Sequence, residues 1–438
     1  MNDRETARRG SSVLAVGCGT AVAMWTVGYL SRLPAVLLPS PLLLGLVLAC
    51  LLAGGWLLGR YDGRGWRHGA AAGLLSGTIS LMVLGSLLAA EQPNRVVPSA
   101  WVWLPGSILC AGTLAAAGAE IGRRRSLEPP AVDWLAVFVR VAAVAVLLLL
   151  VVGGLVTSTG AGLAVADWPN SLGYNMFLYP FSRMTGGIYF EHAHRLFGAL
   201  VGCTTLGLAI ELQALEARRW VRVVGWSVLG LVVTQGVLGG LRVTGGFTLS
   251  TSPEALRPSV ELALLHGVLG QIVFALLVAL VAFSSPAWRA VERAAGDRRP
   301  RRDLLSPALL VVLLLAQLVL GAAQRHLGLL LIVHIVFGVA VVAPAALHLG
   351  LRAWVADDRP RLSRLGLGLT LAVALQVLLG LAAFVAVRGV AAGDFPHAAR
   401  VLLTTAHQGF GAALLGLAVS FLCWSFRLPG GTVPERPR

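Results

Sequence analysis

Stretches of eighteen or more predominantly apolar residues recur along the whole chain, and nothing constrains its fold more. Each is long enough to cross the hydrocarbon core of a bilayer as a helix. Twelve are read, at about 12–30, 37–58, 69–90, 101–120, 136–157, 191–211, 222–242, 260–284, 304–322, 328–350, 364–387 and 400–424. Backbone polar groups in lipid must bond within the segment, so the class is an all-α polytopic membrane protein. A soluble domain is excluded by a sequence that is 57% hydrophobic and 13% charged.

The net charge of +15 raises the question of a nucleic-acid partner. Its placement gives another answer. Every basic residue is an arginine, and 25 of the 35 lie in the two tails and alternate loops: Arg60, Arg64 and Arg67; Arg123 to Arg125; Arg218, Arg219 and Arg222; six between Arg289 and Arg302; four between Arg352 and Arg364. Eight lie on the other side, and Arg140 and Arg195 fall within spans. This is the positive-inside pattern, and it places both termini in the cytoplasm of a bacterial-type inner membrane. The charge sets topology, the surrounding medium is lipid, and no nucleic-acid role is expected.

Rare polar residues reveal a duplication. Gln235 and Gln376, Gly239 and Gly380, and His266 and His407 are each 141 residues apart, and His194 and His334 are 140 apart. A near-constant offset shared by rare residues marks an internal repeat. Each unit holds four spans, so the halves share one orientation and are expected to be two four-helix bundles related by a pseudo-twofold axis along the membrane normal. Four further helices precede them.

The four duplicated histidines each have glycine four residues on: Gly198 after His194, Gly270 after His266, Gly338 after His334 and Gly411 after His407. On a helix these pairs lie on one face, one turn apart. An imidazole beside bare backbone suits a large planar ligand held through a ring nitrogen, which is a haem. Two helices offering one histidine each make a bis-histidine iron site, so four histidines make two sites, one per half. All four lie in the outer third of their spans. His68, His326, His348 and His397 lie in loops or at span ends and read as ordinary polar groups.

The halves differ at one stretch. Superposing "FEHAHRLFG" (190–198) on "LLIVHIVFG" (330–338) sets His194 on His334, Glu191 on Leu331, His192 on Ile332 and Arg195 on Ile335. Glu191, His194 and Arg195 share a helix face, whereas His192 is turned about 100° from Glu191 and reads as a bystander. An ionisable residue inside a membrane is functional by default, although Glu191 and Arg195 also have the spacing of a structural i,i+4 ion pair. The longest outer loop, 158–190, precedes this stretch and has no counterpart in the second half, where about five residues join the spans. A loop above the polar half alone reads as a lid.

At these residues the chain resembles haem A synthases. The likeness rests on "GGLVTSTGAGLAVADWPN" (153–170), on Glu191, His194 and Arg195, and on a histidine in every second helix, and it covers about 135–424. The resemblance implies oxidation of the C8 methyl of haem O to a formyl group, giving haem A for cytochrome oxidase. It implies that His334 and His407 ligate a haem b cofactor, that His194 and His266 ligate the substrate haem, and that Glu191 is essential, with Arg195 beside it. Haem O synthase and cytochrome oxidase assembly factors are the implied partners. Two departures stand out. Some members carry a cysteine pair in the first outer loop. Here Cys18, Cys50, Cys110, Cys203 and Cys423 all fall within spans, so a thiol step is not expected. Typical members also have eight spans, and this chain adds four.

The expected organisation is a four-span accessory module at 1–130, a substrate and catalytic repeat at 131–284, a basic linker at 285–303, a haem b repeat at 304–424 and a tail at 425–438. Two other functions are compatible with histidine pairs alone: a di-haem b-type cytochrome drawing electrons from quinol, and a haem transporter. The lid and the acid, both one-sided, count against the first. Histidines gathered near one face of the membrane count against the second.

Overall fold

A computed structural model describes residues 3–90, 92–125, 131–247, 256–291, 301–393 and 396–429. Part of the basic linker (292–300) and most of the tail (430–438) lie outside the described residues.

The protein is an integral multi-pass membrane protein, and twelve of its helical segments are long and apolar enough to cross a bilayer. They are α1 (Asp3–Ser31), α2 (Ser40–Asp62), α3 (Trp66–Leu87), α4 (Ala100–Arg124), α5 (Trp134–Ser158), α6 (Gly186–Leu215), α7 (Arg219–Thr244), α8 (Val260–Ser284), α10 (Arg301–Leu327), the tenth span, α13 (Pro360–Ala392) and α14 (His397–Arg427). A five-residue helix, α9 (Pro286–Ala290), follows α8. The tenth span is built of α11 (Leu331–Phe337), a π-helical turn (Gly338–Val342) and α12 (Ala343–Ala356). Helix ends follow local chemistry. The Asp133 carboxylate caps α5 by accepting the Ala136 N–H at 3.0 Å. Gly245 and Gly393 close α7 and α13 in the left-handed region, at φ 74° and 85°. α6 starts five residues earlier than its apolar run, so the whole stretch from Glu191 to Arg195 is helical.

Two compact units divide the chain at Pro258. In the first, small residues let helices touch backbone to backbone. Gly55 and Gly59 of α2 lie against the carbonyls of Ala115 and Ala119 on α4, leaving no room for a side chain. Without a hydrophobic drive inside lipid, such close approach is what holds helices together. Aromatic contacts join α1 to α6: Tyr29 stacks on Tyr189 at 5.4 Å, and Trp25 and Tyr29 meet Phe197 edge-on.

The second unit contains α8 to α14. Its core includes Ala346, Leu349, Leu369 and Leu414. At the C-terminal end of α14, Arg427 donates to the carbonyls of Trp288 and Val291 at 2.7 and 2.6 Å, and Trp288 packs against Trp424. Contacts therefore group α8 with the C-terminal helices, whereas the organisation expected from the sequence set it in the first repeat.

Candidate functional site

In the second unit, His334 on α11 and His407 on α14 face each other with ring centroids 6.4 Å apart and planes at 89°. A shared iron needs about 2 Å to each nitrogen and about 1 Å more to each ring centre, or about 6 Å between centroids. The separation and the donor set, two imidazoles, fit a bis-histidine haem. Each ring rests on a glycine of the preceding helix. A Cβ at Gly321 would lie 3.0 Å from Cε1 of His334, and one at Gly380 would lie 2.9 Å from Cε1 of His407. A larger residue there would push the imidazole out of place.

Glutamines complete the frame. The Gln317 amide donates to the His334 carbonyl at 2.9 Å, and that of Gln376 to the His407 carbonyl at 3.1 Å. The glycines four residues beyond the histidines make this possible. A Cβ at Gly338 would lie 2.6 Å from the Gln317 nitrogen, and one at Gly411 would lie 3.1 Å from that of Gln376. At Gly198 the corresponding direction is open, with nothing within 4 Å among the described residues. The turn into α11 passes through Leu330 at φ 69°, an unusual conformation for leucine, and a π-helical turn begins at Gly338, four residues after His334. Both features are common near functional sites.

The first unit repeats the seat and changes its surroundings. His194 on α6 rests on Gly153 of α5, where a Cβ would lie 2.9 Å from its Cε1. Gly153 and Gly321 escape the 141-residue offset because the intervening outer loop is longer in the first half. One turn before His194, Glu191 is buried at 4% exposure. Its oxygens lie 3.4 Å from the Arg195 Nε and 3.6 Å from an Arg242 nitrogen. Arg242 stands at the end of α7, was not singled out in the sequence, and carries no matching offset. Asp167, also buried, stands beside Arg195, so the cluster holds two acids and two arginines.

The loop between α5 and α6, expected on the outer side, is folded over this cluster. Arg195 donates to the carbonyls of Asp167, Asn170 and Val165 at 2.6, 2.9 and 2.6 Å. Arg242 donates to the Gly162 carbonyl. The Asp167 carboxylate accepts the N–H groups of Leu172 and Gly173 at 2.5 and 2.8 Å, fixing the turn between two short paired strands, Asn170–Ser171 and Tyr174–Asn175. Trp168 lies on the bare backbone of Gly240. His192 is fully buried, 3.0 Å from the Ser171 hydroxyl and 5.1 Å from the Tyr179 ring. Burial pushes the Tyr179 hydroxyl above its ordinary pKa, opposed by Arg183. The segment 153–170 thus has a local meaning: its first glycine seats His194 and its remainder supplies the groups that Arg195 and Arg242 hold.

His266 lies on α8, in the second unit. All five cysteines are free.

Residues 136–334 match the family model described as cytochrome oxidase assembly protein. Over 229 residues the chain is 24% identical to a haem A synthase of Rhodopseudomonas palustris (strain HaA2). That alignment covers 45% of this chain and 57% of the relative, so the chain spans a little over half of its length. The family match takes in Gly153, the folded loop, Glu191, His194, Arg195 and Arg242, and ends on His334.

Proposed function

We propose that this chain, whose residues 136–334 belong to the cytochrome oxidase assembly protein family, oxidises the C8 methyl of haem O to the formyl group of haem A. One observation carries the reading: a buried acid held between Arg195 and Arg242, one turn from a glycine-seated histidine and covered by a loop tied to the same arginines. An inert cytochrome needs the histidine and the glycine, but not the rest. Two successive two-electron oxidations of the methyl carbon by an external oxidant, each leaving a hydroxyl on it, followed by loss of water from the geminal diol, give the aldehyde.

His194 is the ligand of the substrate haem on α6, with His266 as the second ligand, and Gly198 and Gly270 belong to that haem's surface. Glu191 exchanges protons at the reacting methyl. A carboxylate at this depth costs several kcal/mol unless paired or protonated, and its competing partners make either state accessible. Arg195 holds the loop and orients Glu191, and Arg242 holds the same loop from α7. The covering loop keeps bulk water from the reacting carbon. His334 and His407 hold haem b, with Gly338 and Gly411 beside them. Bound there, haem b supplies a one-electron carrier.

The enzyme sits in the inner membrane with both termini cytoplasmic and the reacting loop outside. Haem O synthase supplies the substrate. Expression together with that synthase, followed by pigment extraction, tests the proposal. Haem A is the expected product. Extracts holding haem b alone would favour the di-haem cytochrome.

A further inference from the structure

We infer that the four added N-terminal spans act as a second clamp on the outer loop 159–185, and so position the cover of the Glu191 site. The consequence for turnover rests on the function proposed above, whereas the clamp itself does not.

The loop is held from two sides within one compact unit. Its first part, 162–171, is held by α6 and α7 through Arg195, His192 and Arg242. Its second part, 174–181, meets the N-terminal spans. The Asn94 side-chain oxygen accepts the Asn175 N–H at 2.6 Å, and Asn175 in turn accepts the Phe177 N–H at 3.0 Å. The Phe177 carbonyl lies against Gly85 of α3, leaving no space for a Cβ. The Arg32 guanidinium stands 5.9 Å over the Phe181 ring.

Asn94 is built for this contact. It sits at φ 62°, a conformation that asparagine tolerates better than most residues, in a turn closed by the Ala90 N–H to Arg95 carbonyl bond at 2.8 Å. The same spans also grip α6. The Tyr189 hydroxyl donates to the Tyr29 carbonyl at 2.6 Å, two residues before Glu191. A merely appended module would not place three separate elements, α1, α3 and the α3–α4 turn, on one loop and its supporting helix. The loop is long and short of regular structure, so each tether removes conformations in which it stands away from the site.

The test uses the full chain in nanodiscs, with hydrogen exchange read across 171–183. Asn94→Gly removes the acceptor without straining the turn, and the Asn175 amide should exchange about fivefold faster, the effect of one hydrogen bond. Asn94→Asp keeps an acceptor oxygen and should restore the wild-type rate. Gly85→Leu forces the Phe177 carbonyl away and should speed exchange at least tenfold across 174–181. KM for haem O should rise in that variant with kcat little changed, and the resident haem spectrum should not move. Unaltered exchange in both Asn94→Gly and Gly85→Leu overturns the clamp. Faster exchange with unchanged KM and kcat overturns the positioning role. Exchange is read on resting protein, so a wild type that makes no haem A would refute the proposed activity and leave the clamp standing.

Discussion

At His194 the imidazole leans on Gly153, and at His334 it leans on Gly321, yet the side chains along the two helices part company from there. Around His334 the neighbours Ile332, Val333 and Val336 are apolar and exposed, and the polar partner is an amide bound to backbone. Around His194 stand a buried acid, two arginines and a folded loop. The seat is the shared part, and it asks only for a glycine and a histidine in register. The seat does not need an acid, so Leu331 can occupy the place that Glu191 holds beside His194; in the proposed function, that difference is where the chemistry lies.

The sharpest way to break this comparison is to remove a ligand from each side. His334→Ala or His407→Ala should reduce the resident haem from one per chain to less than about a tenth, since each iron bond depends on both rings. His194→Ala should leave that haem in place. A normal haem b spectrum in purified His334→Ala protein would end the assignment. Next in size is Glu191→Gln, which should lower haem A formation at least about 100-fold while leaving the resident haem intact, as loss of a general acid–base does. Pigment analysis should find haem O or a hydroxylated intermediate. Wild-type amounts of haem A would reduce Glu191 to an ion-pair partner of Arg195.

Arg195→Leu should be milder for chemistry and worse for structure. It strips three loop carbonyls of a charged donor, at about 3 kcal/mol or more of stability, readable as a lower unfolding temperature. Arg195→Lys should recover only part, because an ammonium cannot fork to Val165 and Asp167 as guanidinium does. The smallest effect belongs to Gln317→Leu. The His334 carbonyl keeps its bond from the Gly338 N–H, so no buried acceptor is orphaned, and the loss should be about 1 kcal/mol. Haem retention during gel filtration should fall by a few-fold at most. A complete loss would show that the glutamine frame, and not the glycine seat, sets the histidine.

Much of this was legible in the sequence because membranes impose one-dimensional rules. Span length, arginine placement and the repeat of His266 at His407 need no tertiary information. Glu191 announced itself by standing where its repeat partner is leucine. Other residues gave no such signal. Gly153 lies outside the constant offset, since a loop of different length separates each seat from its histidine. Arg242 is one of eight outer arginines, and nothing in its neighbours ties it to an acid fifty positions away. His192 read as a bystander because helix geometry turns it from Glu191. The fold gives that other face to Ser171 and Tyr179 of the loop.

By itself, the sequence determined the class and the number of crossings, because both follow from local hydropathy. Tertiary structure alone decided which glycine seats which imidazole, where the outer loop folds, and that Asn94 and Gly85 reach it from the added spans. Those are contacts between segments far apart in the chain, fixed by how helices approach one another. No pattern along one strand of sequence records the distance between two of them.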